Sequence, residues 1–203
     1  MYENLLANVP TDLWIGGKWR KSSDNARFDV IDPATEKKVA SVASATPQDA
    51  IAALDAADAA FPAWASKKPR ERGEILRKAF ELIMRDAERL AKLITVENGK
   101  ALPDSRGEVA YAAEFFHWNA EEAAPNFGQM STAPSSGARI LVQHKPAGIA
   151  VLVTPWNFPA AMATRKIGPA LAAGCPVVLK PASDTPLTML ALMPILEEAG
   201  VPA

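Results

Sequence analysis

The stretch from Thr154 to Ser183, TPWNFPAAMATRKIGPALAAGCPVVLKPAS, constrains the fold of this chain more than any other. Residues 149–153 and 176–179 are short apolar runs without alternation, which is typical of strands buried on both faces of a parallel sheet. We expect a helix from Pro159 to Ala173 between them and a second helix over 186–199. The order strand, helix, strand, helix predicts an α/β fold with a doubly wound parallel sheet.

A polar loop follows each of these strands, over 154–159 and 180–186. Ligands of open α/β sheets bind beyond the carboxyl ends of the strands, so both loops are candidates for a binding site. In the first loop Pro155 and Pro159 restrict the backbone around Asn157. A side-chain amide held in a stiff loop is a suitable donor to a developing oxyanion. Asparagine is also a favoured helix cap, and the local pattern leaves both roles open.

Three further polar residues are candidates for ligand contacts. Lys180, at the end of the second strand, could donate to ribose hydroxyls or phosphate, with Ser183 adding a small hydroxyl group. Arg165, about two turns along the helix from Asn157, could bind a carboxylate with both of its donor groups. For Lys180 and Arg165 the alternative is an ordinary solvated side chain.

The rest of the chain carries patterns for hairpins and helices. Gly16 and Gly17 lie between tryptophan-bearing apolar flanks and predict a tight hairpin. Thr46, Pro47 and Asp49 form a helix-start signal. The predicted elements before residue 149 are hairpins over 13–20 and 28–42, helices over 47–64, 69–98 and 105–123, a polar loop over 126–138, and an alternating strand over 139–145.

Composition narrows the classes of function. The chain has 203 residues and a net charge of −1, a globular composition. The near-neutral charge argues against binding to nucleic acid, and against binding to a membrane through a polybasic segment. The longest apolar run is far too short to span a bilayer. Cys175, the single cysteine, excludes an internal disulfide, is expected to be buried and structural, and favours a cytoplasmic location. No metal site is indicated, and the GxGxxG fingerprint of dinucleotide sites is absent.

Several segments together resemble the aldehyde dehydrogenase superfamily. They are WIGGKW at 14–19, ENGK at 97–100, GEVAYAAEFFHWNAEEA at 107–123, PAGIAVLVTPWNFP at 146–159, RKIGPALAAGC at 165–175 and VVLKPAS at 177–183. The likeness is collinear over nearly the whole chain. Within the superfamily, FPAAMATRK and KPASDTP look most like the succinate-semialdehyde dehydrogenases.

The resemblance implies roles for the matching residues. Asn157 would stabilise the oxyanion of the thiohemiacetal, and Arg165 would help to hold the substrate carboxylate. The cofactor NAD or NADP would contact Thr154, Pro155, Trp156 and Asn157 in the first loop, and Lys180, Pro181, Ala182 and Ser183 in the second. NAD-preferring members often carry glutamate where Ser183 stands, and a carboxylate repels a 2′-phosphate. Ser183 therefore favours NADP.

The resemblance also sets expectations about organisation. Residues 1–127 and 148–203 would form part of a cofactor-binding domain, and residues 128–147 an oligomerisation arm. The nucleophilic cysteine and glutamate base of the family fall beyond the matched region, so the catalytic domain is absent from this chain. We expect the N-terminal portion of an oligomeric enzyme that oxidises a small aldehyde, inactive when alone and prone to self-association. The alternative is a non-catalytic module that binds nucleotide or pairs with a related subunit.

Overall fold

The computed structural model describes residues 3–125 and 127–202. Over these residues the chain forms seven helices and four two-stranded sheets. The strands are β1 (Leu13–Ile15), β2 (Lys18–Arg20), β3 (Arg27–Asp32), β4 (Lys37–Ala43), β5 (Gln129–Thr132), β6 (Arg139–Val142), β7 (Ala150–Val153) and β8 (Val177–Lys180). The helices are α1 (Glu3–Leu6), α2 (Pro47–Ser66), α3 (Pro69–Arg85), α4 (Ala87–Asn98), α5 (Leu102–Glu122), α6 (Ala161–Ala172) and α7 (Leu187–Ala199). The α/β class predicted from the sequence is confirmed.

The two N-terminal hairpins are confirmed. β1 pairs antiparallel with β2 through a turn at Gly16 and Gly17, whose φ angles of 58° and 72° suit glycine. Trp14 and Trp19 face each other across this hairpin with ring centroids 4.9 Å apart. β3 pairs antiparallel with β4, as the second hairpin pattern predicts.

The helix α2 starts where its signal predicts. The side chain of Thr46 accepts a hydrogen bond from the backbone of Asp49, and the Asp49 carboxylate accepts one from the backbone of Thr46. This reciprocal arrangement satisfies two backbone donors that the first helical turn leaves unpaired.

The single helix predicted over 69–98 is wrong, because the chain breaks at Asp86 into α3 and α4. Asp86 has φ −96° and ψ 10°, and its carboxylate binds Arg85 and Arg89 on either side. The apolar stripe continues across the break because Leu76, Ile83 and Leu90 enter the same core, so periodicity did not reveal it. The helix α5 begins three residues before the predicted Ser105, at Leu102.

The core lies between α3, α4, α5, α6 and α7. Trp64 is 1% exposed, and its indole Nε1 donates to the Leu171 carbonyl at 3.2 Å, which joins α2 to α6. The helices α3 and α5 approach closely at Gly73, where an added Cβ would lie 2.6 Å from the Ala120 carbonyl oxygen.

None of the described helices combines the length and the apolar character needed to cross a bilayer.

The polar segment predicted as a loop over 126–138 contains a strand. β5 pairs antiparallel with β6, with a turn closed by hydrogen bonds between Ala133 and Ala138 and between Gly137 and Ala133. Asn126 lies outside the described residues. Of the four residues of β5 only Thr132 is β-branched, so its pairing with β6 rather than its own strand preference decides its structure. This two-stranded sheet is separate from the β7–β8 sheet, as the Pro146–Gly148 break predicts.

The strand β7 is not buried on both faces, which corrects the interpretation of its apolar run. Val151 and Val153 are 61% and 60% exposed, while Leu152 packs against the core. Leu152, Val177 and Leu179 pack against the core from one face of the β7–β8 sheet, and no residue of β8 is fully buried, so the same interpretation of the run 176–179 is also wrong. The apolar side chains on the other face therefore contact solvent.

Candidate functional site

The two candidate loops lie at one edge of the sheet, the one formed by the carboxyl ends of β7 and β8, as predicted. β7 and β8 are parallel and in register, with Val153 opposite Lys180. The backbone amide of Thr154 donates to the Lys180 carbonyl at 3.3 Å, so the strands stay joined up to the point where both loops begin. Lys166 of α6 donates through Nζ to the Val153 carbonyl at 2.7 Å on the same strand end.

The first loop presents exposed side chains on a fixed backbone. Thr154 is buried, whereas Asn157 is exposed and Trp156 is 57% exposed. The carbonyl of Trp156 accepts hydrogen bonds from Asn98 Nδ2 at 3.0 Å and from Thr185 Oγ1 at 3.4 Å. The loop is therefore held by the end of α4 on one side and by the second candidate loop on the other.

Asn157 is not the cap of α6, so that alternative is wrong. The helix begins at Ala161, and the carboxylate of Glu108 accepts hydrogen bonds from the backbone amides of Ala160 at 2.9 Å and Ala161 at 3.3 Å. Glu108 takes the place that Asn157 would have filled. The exposed Asn157 amide is thus not used in capping this helix.

A second buried carboxylate caps α7. Glu97 is 2% exposed and accepts from the backbone amides of Leu187 at 2.7 Å and Thr188 at 2.8 Å, and from the Thr188 hydroxyl. Burial raises the pKa of Glu97 to about 7, and the hydrogen bonds from Thr188 and Leu187 act in the opposite direction. The positive end of α7 favours the charged form as well.

These two carboxylates decide what the helix N-termini can bind. The N-terminus of a helix that follows a parallel strand is a common site for the phosphates of a dinucleotide. In this chain Glu108 and Glu97 occupy those ends of α6 and α7. A nucleotide at this edge would therefore be held by side chains and loop backbone, which agrees with the absence of a GxGxxG motif.

The sequence interpretation did not identify Glu97, Asn98, Lys100 and Glu108 as groups that build the site. A detectable signal was present, since Glu97 and Glu108 stand among apolar residues of α4 and α5 that face the core. A carboxylate on an apolar helix face must find buried donors. Which donors it finds depends on the tertiary structure.

The second loop offers a flexible cation and a hydroxyl group. Lys180 is exposed at the end of β8, and its Nζ donates to the neighbouring Pro181 carbonyl at 3.2 Å. Pro181 and Ala182 are half-buried, and Ser183 is exposed. These donors, with the Asn157 amide, fit the hydroxyl and phosphate groups of a nicotinamide dinucleotide at the open edge.

Arg165 lies on the exposed side of α6 beside aromatic residues of α5. Its guanidinium carbon is 6.0 Å from the centroid of the Phe115 ring, and Phe115 in turn packs edge-on against Tyr111 at 4.7 Å. Tyr111 is 50% exposed. An arginine beside such a surface can bind a carboxylate while the rings contact an aliphatic chain.

Cys175 is buried at 8% exposure, as predicted for a structural residue. It lies near Arg72, whose Nε donates to the Ala172 carbonyl at 3.0 Å. Cys175 is the single cysteine of the chain, and because it is buried, its thiol is not exposed to a substrate.

Comparison with known proteins gives the family. Residues 19–203 match the sequence model of the aldehyde dehydrogenase family. This chain belongs to the aldehyde dehydrogenase family. The resemblance inferred from the motifs is therefore confirmed.

Relatives within the aldehyde dehydrogenase family extend the comparison. A succinate-semialdehyde dehydrogenase of Paenarthrobacter nicotinovorans is 54% identical over 81% of this chain and 37% of its own length. The NADP⁺-named succinate-semialdehyde dehydrogenase of Escherichia coli is 46% identical over 93% of this chain and 39% of its own length. Betaine aldehyde dehydrogenase of Staphylococcus aureus, solved with NAD⁺, is 32% identical with a TM-score of 0.95 over 98% of this chain and 40% of that chain.

The chain thus spans about two fifths of the length of the relatives that it matches, and the match falls in their N-terminal portion. The fold observed in residues 3–125 and 127–202 is the corresponding part of the aldehyde dehydrogenase fold.

Proposed function

We propose that this chain contributes the cofactor-binding edge and the oxyanion donor of an enzyme that oxidises succinate semialdehyde to succinate with NADP⁺ or NAD⁺. The observation that carries the proposal is the meeting of the loops 154–159 and 180–186 at one sheet edge, with Asn157 and Lys180 both exposed there. The NADP⁺-named relative from Escherichia coli supports both the reaction and the cofactor.

Each residue has a definite role in this proposal. The bound cofactor supplies a hydride acceptor. Lys180 and Ser183 bind its adenosine ribose, with Pro181 and Ala182 completing that pocket, and Thr154, Pro155 and Trp156 line the nicotinamide end. Asn157 donates its amide hydrogen to the oxygen of the reacting aldehyde as negative charge develops there. Because that donor lies on a restrained loop, little reorganisation is needed during the reaction.

Ser183 is the basis for preferring NADP⁺ over NAD⁺. A serine hydroxyl can donate to the 2′-phosphate, whereas a carboxylate at this position would bind two ribose hydroxyls and repel the phosphate. We therefore expect Ser183→Glu to weaken NADP⁺ binding more than NAD⁺ binding.

Arg165 supports a substrate that carries a carboxylate. Its guanidinium lies over the half-buried ring of Phe115, beside the exposed Tyr111, where it could bind the carboxylate with both donor groups. The succinate-semialdehyde dehydrogenases among the relatives are named for such an aldehyde. A homo-oligomer and a cytoplasmic location complete the proposal, the latter on the single cysteine and the absence of an internal disulfide.

A second function is favoured by one observation. The only thiol of the chain is buried, and covalent oxidation of an aldehyde needs an exposed thiolate. The chain by itself would then be an inactive module that binds nucleotide or pairs with a related subunit. A module that binds nucleotide would use the same cofactor-binding edge as the enzyme.

Thermal unfolding with and without cofactor tests the shared edge. NADP⁺ at ten times its dissociation constant should stabilise the chain by about 1.4 kcal/mol. Lys180→Ala removes a charge-assisted hydrogen bond and should weaken binding about ten- to a hundredfold. Lys21→Ala, which removes another exposed lysine, is the matched control and should leave the shift unchanged. Absence of any shift at millimolar NADP⁺ and NAD⁺ would contradict the proposal.

A further inference from the structure

The side chain of Lys100 reaches the candidate loop from the segment between α4 and α5. Its side chain is 15% exposed. Its Nζ pairs with the carboxylate of Glu108, donates to the Asn157 carbonyl at 3.1 Å and lies 3.9 Å from the centroid of the Phe158 ring. One ammonium group therefore contacts two consecutive residues of the loop.

Glu108 connects this ammonium group to the start of α6. Its Oε2 accepts from Lys100, and its Oε1 accepts from the backbone amides of Ala160 and Ala161. The carboxylate is fully buried, so losing either set of donors would leave a poorly compensated charge. The lysine and the helix start are thus held by the same group.

Gly99 permits the approach of Lys100. It ends α4 with φ +76°, a conformation that favours glycine, and an added Cβ would lie 2.8 Å from Cγ of Pro33. The sharp turn brings the next residue back toward the loop. Asn98, just before it, binds the Trp156 carbonyl, so the segment 98–100 contacts the backbone at Trp156 and Asn157.

We propose that Lys100 is a positioning residue that fixes the direction of the Asn157 amide by holding the Asn157 carbonyl, with Glu108 as its anchor. The side chain of Asn157 is exposed, so its direction depends on the backbone from which it projects. That backbone is fixed at the Asn157 carbonyl by Lys100, and three and four residues later, at the amides of Ala160 and Ala161, by Glu108. This inference rests on the proposed function, in which the Asn157 amide faces the reacting aldehyde.

Hydrogen–deuterium exchange of the peptide over 154–162 tests the inference on this chain. In Glu108→Gln the amide oxygen still accepts from Ala160 and Ala161. The double variant Lys100→Met with Glu108→Gln therefore loses the contact to Asn157 without leaving a buried charge unpaired. The amide of Met162 donates to the carbonyl of Phe158 in the released loop at 3.1 Å, so we expect it to exchange about tenfold faster in the double variant than in Glu108→Gln alone. A core peptide over 76–84 should not change.

Two single variants separate positioning from a general loss of stability. Lys100→Arg keeps the charge, so exchange in the loop should stay as slow as in the original chain. In Lys100→Met exchange in the loop should be faster. Lys92→Met, which removes a lysine paired with Glu88 on the surface of α4, is the control and should exchange like the original chain. Unchanged loop exchange in the double variant, no rescue by arginine, or an equal increase in the core peptide would overturn the inference.

Addition of NADP⁺ to the original chain distinguishes this inference from the proposed function. If NADP⁺ does not slow exchange over 154–158, the proposed function fails. The comparison among the variants without cofactor still decides whether Lys100 holds the loop.

Discussion

The carboxylate of Asp49 joins the loop between β2 and β3 to the start of α2, the first long helix of the chain. It accepts from the backbone amides of Thr46 and Ser23, both at 3.0 Å, and pairs with Arg20 at 3.0 Å. Burial raises the pKa of Asp49, but the hydrogen bonds from Thr46 and Ser23 outweigh it, and the pKa lies below its ordinary value of 3.8. The charged form is therefore favoured in the folded chain.

The sign of this shift predicts an acid-sensitive contribution to stability. Because the folded pKa is lowered, the contribution is fully present above about pH 4 and is lost as the pH falls through the folded pKa. Asp49→Asn should lower the free energy of unfolding at pH 7 by about 1 kcal/mol. The difference from the original chain should shrink toward pH 3. Urea unfolding at several pH values measures this, with Asp58→Asn, an exposed change on α2, as the control.

Sequence reasoning was strongest for residues whose role is local. Thr46 with Asp49, and Gly16 with Gly17, act through neighbours a few positions away, and their predicted roles are confirmed. Glu108 acts through Ala160 and Ala161, more than fifty positions away. No local pattern specifies that partner, so Asn157 was open to interpretation as a cap until the fold was known.

At the scale of elements, the crossing of α3 and α5 depends on a single glycine. Gly73 is buried in α3, and the space that its missing side chain leaves is filled by the backbone of α5 at Ala120. Gly107 lies in α5 with no atom within 4 Å of a Cβ built on it. The two glycines therefore form a matched pair in helices that pack together.

Opposite effects on stability are expected from these two glycines. In Gly73→Ala the added methyl group forces the helices apart, which should cost about 1–3 kcal/mol. The gain in helix propensity offsets about 1 kcal/mol of this cost. Gly107→Ala should stabilise by up to about 1 kcal/mol. Chemical denaturation checks both. Equal stabilisation by the two changes would show that α3 and α5 do not approach as described.

The order of elements was predictable, while their boundaries and coverage were not. The sequence correctly predicted α5, α6 and α7, with bounds within three residues of those observed. Hydrophobic periodicity, however, ran through the break at Asp86 because α3 and α4 share one core. It also suggested that β7 is buried on both faces, since an apolar run does not reveal which face is covered.

On the scale of the whole molecule, the uncovered face of the β7–β8 sheet exposes apolar side chains next to the site. Val151 and Val153 project from it side by side along one strand. Contiguous apolar surface of this kind favours association. Among the residues that the structure describes, β8 is the one strand paired with β7, so the other edge of β7 can also pair with a second chain. We therefore expect the self-association predicted from the sequence to take place through the exposed face and edge of β7.

Sedimentation velocity tests that location. The original chain should form oligomers or aggregates, and the double change Val151→Lys with Val153→Lys should lower the mean sedimentation coefficient toward that of a monomer. Ile51→Lys, at an isolated apolar residue of α2 that is 56% exposed, should have no such effect. A monodisperse original chain that unfolds cooperatively as a monomer would refute the expectation.

The sequence by itself determined the α/β class, the order of strands and helices from 149 onward, the cap of α2 and the hairpin turns, and membership of the aldehyde dehydrogenase family. The class, the turns and the cap follow from patterns within a few residues, and the family follows from short motifs that keep their order along nearly the whole chain. Only the tertiary structure decided that Glu97 and Glu108 cap α7 and α6, that Lys100 holds the Asn157 carbonyl, and that one face of β7 is open. Buried charges choose partners by proximity in space, and that proximity exists only after the helices have packed.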